Sequence, residues 1–203
     1  MTRALARAAA AASLALGFAA CRAPGPLPTT YVLGTPSPGV ERVEPLLNRP
    51  VIEVKQVLVP DYLDTSDLQI RKGPNAVAPS PTGRWGERLS VGITRALAAS
   101  LTRRLPGYAI AVRSQVERPQ RQVLVDVEDF EAPPDGAVVL VARWRVLDGT
   151  GRDTLAGERV SLTAPIAGSG DAAIVAAMTA AVEDLAARVA AGIGQVTPAP
   201  REH

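Results

Sequence analysis

The sequence AVVLVARWRVLDGTGRDTLAGERVSLT, residues 137–163, decides the fold class. Residues 137–147 form the longest strand candidate in the chain, and residues 155–163 form a second one. Asp148-Gly149 between them is a turn signal, so the two strands are expected to pair as an antiparallel hairpin. This hairpin predicts a sheet that is largely antiparallel.

Shorter stretches elsewhere supply the other strands of this sheet. Residues 122–130 alternate, with valines on one side and Asp126 and Glu128 on the other, which is typical of a strand with one solvated face. Pro60 ends another candidate, because proline cannot continue a central ladder. The remaining candidate strands are 31–33, 51–59, 68–71 and 108–112.

Two long helices are predicted, over residues 87–104 and 172–193, with Asp171 as the expected N-cap of the second. Each carries a single apolar stripe at helical spacing. The stripes are Leu89, Ile93, Leu97 and Leu101 in the first helix, and Ile174, Met178, Val182, Leu185 and Val189 in the second. We therefore predict an α+β fold, a two-layer sandwich in which both helices cover one face of a mostly antiparallel sheet.

The N-terminus has the parts of a bacterial export signal. Arg3 and Arg7 precede an apolar stretch over residues 8–20, which is shorter than the roughly 20 residues that span a bilayer. The stretch ends in Phe-Ala-Ala-Cys, which resembles a lipobox with Cys21 as the acylated residue. An ordinary signal peptide with a chance cysteine is the alternative. Cys21 is the only cysteine, so it cannot form an internal disulfide.

These features predict four regions along the chain. Residues 1–20 are the signal peptide, and residues 21–30 hold the lipidated Cys21 and a Pro-rich tether. Residues 31–194 are expected to form one globular domain, and residues 195–203 a disordered tail. Loss of the two signal arginines takes the formal net charge from +2 to 0. With no run of basic residues, nucleic acid is not an expected partner.

Enzyme motifs that need histidine, cysteine or a cofactor loop find little support. His203 is the only histidine and lies in the predicted tail, which argues against a Ser-His-Asp site or a zinc site. Residues 168–173 fit G-x-G-x-x-A before a helix, but no strand follows that helix as a dinucleotide fold requires. We read these glycines as a turn and expect no cofactor. Carboxylate pairs remain, at Asp61 with Asp64 and in the 126–129 segment.

Two short motifs are the candidate structural or partner-binding residues. In the 59–64 turn, Pro60 fixes φ, Asp61 or Asp64 is expected to cap the turn, and Tyr62 and Leu63 are expected to plug the core. Residues 84–87 are expected to open the first helix, with Trp85 anchored under the sheet edge and Glu87 favourable to the helix N-terminus. The candidate residues are Pro60, Asp61, Tyr62, Leu63, Arg84 and Trp85.

The order of these motifs is similar to that of a known family. It runs from the Cys21 segment through Tyr-x-Leu at 31–33, Val-Pro-Asp-Tyr-Leu-Asp at 59–64, Leu-Gln-Ile-Arg at 68–71, Arg-Trp-Gly-Glu at 84–87 and Val-Asp-Val-Glu-x-Phe at 125–130 to a closing Ala-rich helix. This resembles the ABC-type transport auxiliary lipoprotein family, which includes PqiC-like accessory lipoproteins. Arg88 stands where the family pattern has Pro.

The resemblance implies a non-catalytic lipoprotein that docks or scaffolds an envelope lipid transporter. Its implied partners are an MCE-domain subunit, with a permease and an ATPase in the same system. Arg22, rather than Asp, follows Cys21, which predicts an outer-membrane anchor with the domain facing the periplasm.

The long strand suggests where such a partner binds. Val139 and Val141 alternate with Leu140 and Ala142, so this strand is apolar on both sides. Its outer side is expected to dock a partner or a second copy, and a symmetric ring is one arrangement of such copies. Two alternatives stay open. One is a regulatory lipoprotein that activates a cell-wall synthase, and the other is an envelope glycan hydrolase.

Overall fold

The computed structural model describes residues 27–34, 49–112, 118–133 and 136–196. The strands in these ranges are β1 (Thr29–Tyr31), β2 (Val51–Val54), β3 (Asp67–Gly73), β4 (Ala76–Trp85), β5 (Ala109–Ala111), β6 (Arg121–Glu131), β7 (Ala137–Asp148) and β8 (Thr154–Pro165). The helices are α1 (Leu89–Arg104) and α2 (Gly170–Gln195). The predicted signal peptide, Cys21 and nearly all of the predicted tail lie outside the described residues, so the predicted regions stay predictions.

Five strands form the main sheet, in the order β5-β2-β6-β7-β8. The predicted hairpin is confirmed, because β7 and β8 pair antiparallel along their length, with Trp144 opposite Glu158. β6 also pairs antiparallel with β7. The short β2 runs parallel to both β5 and β6, which the sequence did not predict. The long pairings are thus antiparallel, and the α+β fold class is confirmed.

A second sheet, in the order β1-β4-β3, was not predicted as a separate unit. Its central strand β4 contains Pro79 and Pro81, which argue against a strand because proline lacks an N–H donor. The structure tolerates them because β1 pairs only with residues 83–85 of β4. The prolines therefore lie where β4 has no strand neighbour on the β1 side among the described residues.

Both helices pack on one face of the main sheet, as predicted. Every residue of the two predicted stripes is buried. α2 lies against β7 and β8, and α1 packs on α2. A Cβ on Gly192 would overlap the indole ring of Trp144, so this glycine allows α2 to approach β7 closely. None of the helices in the described ranges is long and apolar enough to cross a membrane.

Two predicted helix starts are corrected. Trp85 ends strand β4, and α1 begins only at Leu89, so residues 84–87 do not open the helix. The N-cap of α2 is Ser169, not Asp171. Asp171 instead accepts hydrogen bonds from Ser80 and Thr82, which tie β4 to the first turn of α2.

The connections define two ends of the domain. β1 enters beside β4, and β4 contacts the start of α2; we call this the tether end. Ala132, just past the end of β6, pairs with Ile70 of β3 at the same end. The β7–β8 turn at residues 148–154 lies at the opposite end of β6, beside Arg121, and we call this the distal end.

Candidate docking surface

The 59–64 motif forms a hydrogen-bonded turn at the edge of the main sheet. The N–H groups of Leu63 and Asp64 donate to the carbonyl of Pro60, at 2.9 and 3.1 Å. Leu63 is only 1% exposed and plugs the core as predicted. The same expectation is wrong for Tyr62, whose side chain is 45% exposed. Asp61 is also exposed, so one aromatic and one acidic side chain of this turn face solvent.

Asp64 joins this turn to the start of α1. Its Oδ1 accepts a hydrogen bond of 2.9 Å from the Ser90 N–H, and its Oδ2 binds the Arg88 guanidinium. Burial raises the pKa of Asp64, but the hydrogen bonds from Ser90 and Arg88 outweigh it and lower that pKa overall. Asp64 therefore supplies a free helix N–H with an acceptor, which α1 lacks within its own sequence.

Trp85 belongs to the core, as the structural interpretation expects. Trp85 is 3% exposed, and its backbone N–H donates to the Ser66 carbonyl at 2.8 Å. Arg84 precedes it on the opposite, exposed side of β4. Glu87, expected at the helix N-terminus, binds Arg95 instead at 2.8 Å. Arg88 has φ −59°, a value that proline also adopts, so the backbone fits the family's Pro at this position.

A polar cluster fixes Tyr62 against the end of β6. The Tyr62 hydroxyl donates to Glu131 Oε1 at 2.5 Å, and the Arg71 guanidinium binds Glu131 Oε2. Burial and the bond to Glu131 together raise the pKa of Tyr62 to about 12. Asp129 lies beside this pair, and burial and the charge of Glu131 raise its pKa. The cluster holds the 59–64 turn to the sheet. Sequence reasoning missed Glu131, and it included Arg71 only as the end of the 68–71 motif, with no role assigned.

The sheet face opposite the helices, which we call the outer face, carries exposed apolar groups. Val139 and Val141 lie on this face, because they alternate with the fully buried Val138, Leu140 and Ala142 of β7. Both valines are half-buried. Two leucines also lie on the outer face, Leu124 of β6 and Leu58 just after β2. Leu58 is 64% exposed, although it sits in line with β2 and bridges to Asp126. The outer side of β7, which the sequence predicted to bind a partner, is therefore partly accessible in the single chain.

Glu128, one of the acidic groups of the outer face, is held by two arginines. Glu128 accepts from both Arg143, at 3.3 Å, and Arg159, at 2.7 Å. The hydrogen bond from Arg159 lowers the pKa of Glu128. A glycoside hydrolase needs a carboxyl group whose pKa is raised so that it can act as an acid. The pKa values of Glu128 and Asp64 shift the other way, so these two carboxylates are suited to ion pairing, whereas the pKa of Asp129 is raised.

The described residues contain no group of three or more His, Cys, Asp or Glu side chains arranged to hold a metal. The described surface combines the exposed 59–64 turn, a partly apolar sheet face and paired charges. Such a combination is typical of a surface that binds another macromolecule.

The sequence matches the model of a protein family described as the ABC-type transport auxiliary lipoprotein component, over residues 31–190. The chain belongs to this family. The match spans the whole main sheet, the second sheet from Tyr31 onwards and nearly all of α2, so it covers every element that builds the outer face. A comparison with curated proteins found no match.

Solved structures support the fold of this auxiliary lipoprotein. The crystal structure of an uncharacterized protein is similar with a TM-score of 0.68 and 23% identity, covering 82% of this chain and 98% of that one. A Xanthomonas campestris protein is similar with a TM-score of 0.58 and 16% identity, covering 80% of this chain and 90% of that one. At these identities the likeness shows the fold alone.

Proposed function

We propose that this auxiliary lipoprotein docks an MCE-type lipid transporter at the outer membrane and works as a scaffold without catalysing a reaction. The partners would be the MCE-domain subunit and, through it, the permease and ATPase of the same system. Family membership supplies the link to an ABC-type transport system. The MCE subunit, the membrane and the scaffold role are our proposal.

The observation that carries this proposal is the outer face. Both helices cover the other side of the main sheet, so the half-buried Val139 and Val141 remain partly accessible on the outer face. Leu58 adds a large apolar side chain that is mostly exposed. Soluble domains rarely leave such patches open unless a partner covers them. Docking or self-association would bury these side chains.

The proposed tether favours such docking. Cys21 precedes Leu27, the first described residue, by six residues, which reach about 20 Å when extended. Acylation of Cys21 would therefore keep the tether end close to the membrane. The distal end would point into the periplasm. Confinement near the partner raises its effective concentration, so a modest affinity for the outer face would be enough.

Affinity purification of the acylated full chain from detergent-solubilised envelopes tests this function. The expected result is co-purification of an MCE-domain subunit, identified by mass spectrometry, and recovery of both proteins in the outer-membrane fraction of a density gradient. Co-purification of a cell-wall synthase without any transport subunit would favour the regulatory alternative and overturn the proposal.

A further inference from the structure

Two neighbouring arginines form a ridge on the distal half of the outer face. Arg143 and Arg145 alternate with buried residues of β7, and both are exposed. Arg145 lies opposite Gly157 of β8, where a Cβ would come within 3.2 Å of the Arg145 Cγ. The glycine therefore leaves room for the Arg145 side chain to lie across β8. We call Arg143 and Arg145 the arginine ridge.

A groove flanks the arginine ridge on each side, and each groove contains an exposed leucine. One groove lies towards β2 and includes Lys55, Leu58 and Leu124 in its lining. The other lies along β8 and includes Leu155. Leu58 is 64% exposed and Leu155 is 37% exposed. The surface thus presents a cationic centre between two apolar contacts.

The carboxylates of this surface balance only part of its positive charge. Asp126 lies opposite Arg143 in the pairing of β6 with β7 and also lines the groove towards β2. Glu128 serves both Arg143 and Arg159, so one acidic group faces two guanidinium groups. Lys55 pairs with Glu53 at 2.8 Å. Within the part of the chain that the structure describes, no hydrogen-bond or ion-pair partner is found for Arg145. Arginine side chains that are partly unpaired and flanked by apolar groups favour a carboxylate-bearing partner.

The position of the ridge favours a protein partner over the anchoring membrane. Arg145 is three residues before Asp148, where the distal turn begins, whereas the chain enters at the tether end. With Cys21 acylated, the ridge would lie on the half of the domain that faces away from that membrane. Anionic headgroups of the anchoring bilayer would then be out of reach.

We infer that the arginine ridge and its two grooves bind an acidic, amphipathic segment of the transporter's periplasmic subunit. This inference rests on the proposed function and names the chemistry of the partner. Carboxylates of that segment would bind Arg143 and Arg145, and its apolar side chains would cover Leu58 and Leu155.

Site-specific photo-crosslinking of the full chain in its native envelope tests this inference. A photoreactive amino acid replaces Leu58 or Leu155, with Val91 as the control, because Val91 is 42% exposed on α1. Both leucine positions are expected to capture the same MCE-domain subunit, through a segment rich in Asp and Glu, and Val91 is not. R145E should lower the crosslink yield about tenfold, because a rim charge that attracts the partner then repels it. K72E, an exposed charge of β3, should leave the yield unchanged.

Several outcomes would overturn the inference. These are adducts with phospholipid only, adducts with a second copy of the chain only, a captured segment without excess acidic residues, or a yield that R145E does not change. If the MCE-domain subunit co-purifies but is captured at neither leucine, the inference fails and the proposed function stands. If no transport subunit co-purifies at all, the proposed function fails with it.

Discussion

Replacing Trp85 by alanine distinguishes a core anchor from a binding residue. Trp85 is 3% exposed and joins the hydrophobic core from the end of β4. Its main chain is fixed on both sides of the strand, because its N–H donates to Ser66 and β1 pairs with the same residue at Tyr31. The backbone there has little freedom to collapse into the space that a deleted indole leaves.

The expected loss follows from this burial. Truncating a buried tryptophan to alanine costs about 3–5 kcal/mol of unfolding free energy, and a site that cannot collapse lies towards the upper part of that range. For a domain of this size each kcal/mol lowers the melting midpoint by about 2–4 °C, so W85A should melt about 10 °C lower or more. Thermal unfolding followed by circular dichroism measures the shift.

The matched control is the preceding residue. Arg84 is exposed and belongs to the same strand, so R84A should stay within about 0.5 kcal/mol of the wild type. An unchanged melting midpoint for W85A, together with loss of the transporter subunit from affinity purification, would refute the core assignment. Trp85 would then be a docking residue.

Three further predictions concern the anchor and the 59–64 turn. C21A should move the protein from the membrane fraction to the soluble fraction, because it removes the predicted acylation site; continued membrane fractionation would contradict this. D64A should lose about 1 kcal/mol of unfolding free energy at pH 7, since the Ser90 N–H loses its acceptor. Because the pKa of Asp64 is lowered by folding, the difference from wild type in chemical denaturation should shrink as the pH falls through that pKa, and a constant gap would contradict the assignment. Tyr62 should ionise near pH 12, because burial and Glu131 raise its pKa to about 12. An ultraviolet titration of the folded wild type, compared with Y62F, measures this ionisation. Ionisation near the ordinary value of about 10 would contradict the hydrogen bond from Tyr62 to Glu131.

Regular periodicity predicted the helices and the long hairpin well. The α1 stripe follows helical spacing, and its members Ile93, Leu97 and Leu101 are fully buried. Asp148-Gly149 marked the β7–β8 turn, where the Asp148 carboxylate accepts from Thr150 and from two backbone N–H groups. These elements are encoded locally, so a single stretch of sequence is enough to predict them.

The second sheet was missed because its signals conflict. Pro79 and Pro81 count against a strand in any local reading, and β4 is nevertheless the centre of the β1-β4-β3 sheet. Its tolerance for proline depends on which residues β1 covers, and β1 lies about fifty residues earlier in the chain. Non-local pairing of this kind leaves no periodic trace.

The polar cluster was missed for a similar reason. Tyr62 and Glu131 are 69 residues apart in sequence, and Arg71 and Glu131 are 60 apart. One signal was present, because the spacing from Val127 to Phe130 breaks the alternation of β6. The break is a bulge between Val127 and Asp129, and beyond it the pattern of β6 changes phase. Reading that break would have drawn attention to Glu131.

The central claim is that the outer face docks the transporter, and charged substitution on that face tests it most directly. Affinity purification from solubilised envelopes, with the MCE-domain subunit measured per unit of bait, compares V141E with V91E. Both replace a partly exposed valine, but Val141 lies on the outer face and Val91 lies on the helix layer. Both variants must keep the melting midpoint of the wild type within a few degrees, which confirms that the comparison is between folded proteins.

The account predicts that V141E loses most of the co-purified subunit, because a buried glutamate would have no partner in an apolar contact, whereas V91E retains it. Equal recovery of the MCE-domain subunit with both folded variants would contradict docking through the outer face. Loss with V91E and retention with V141E would move the docking surface to the helices.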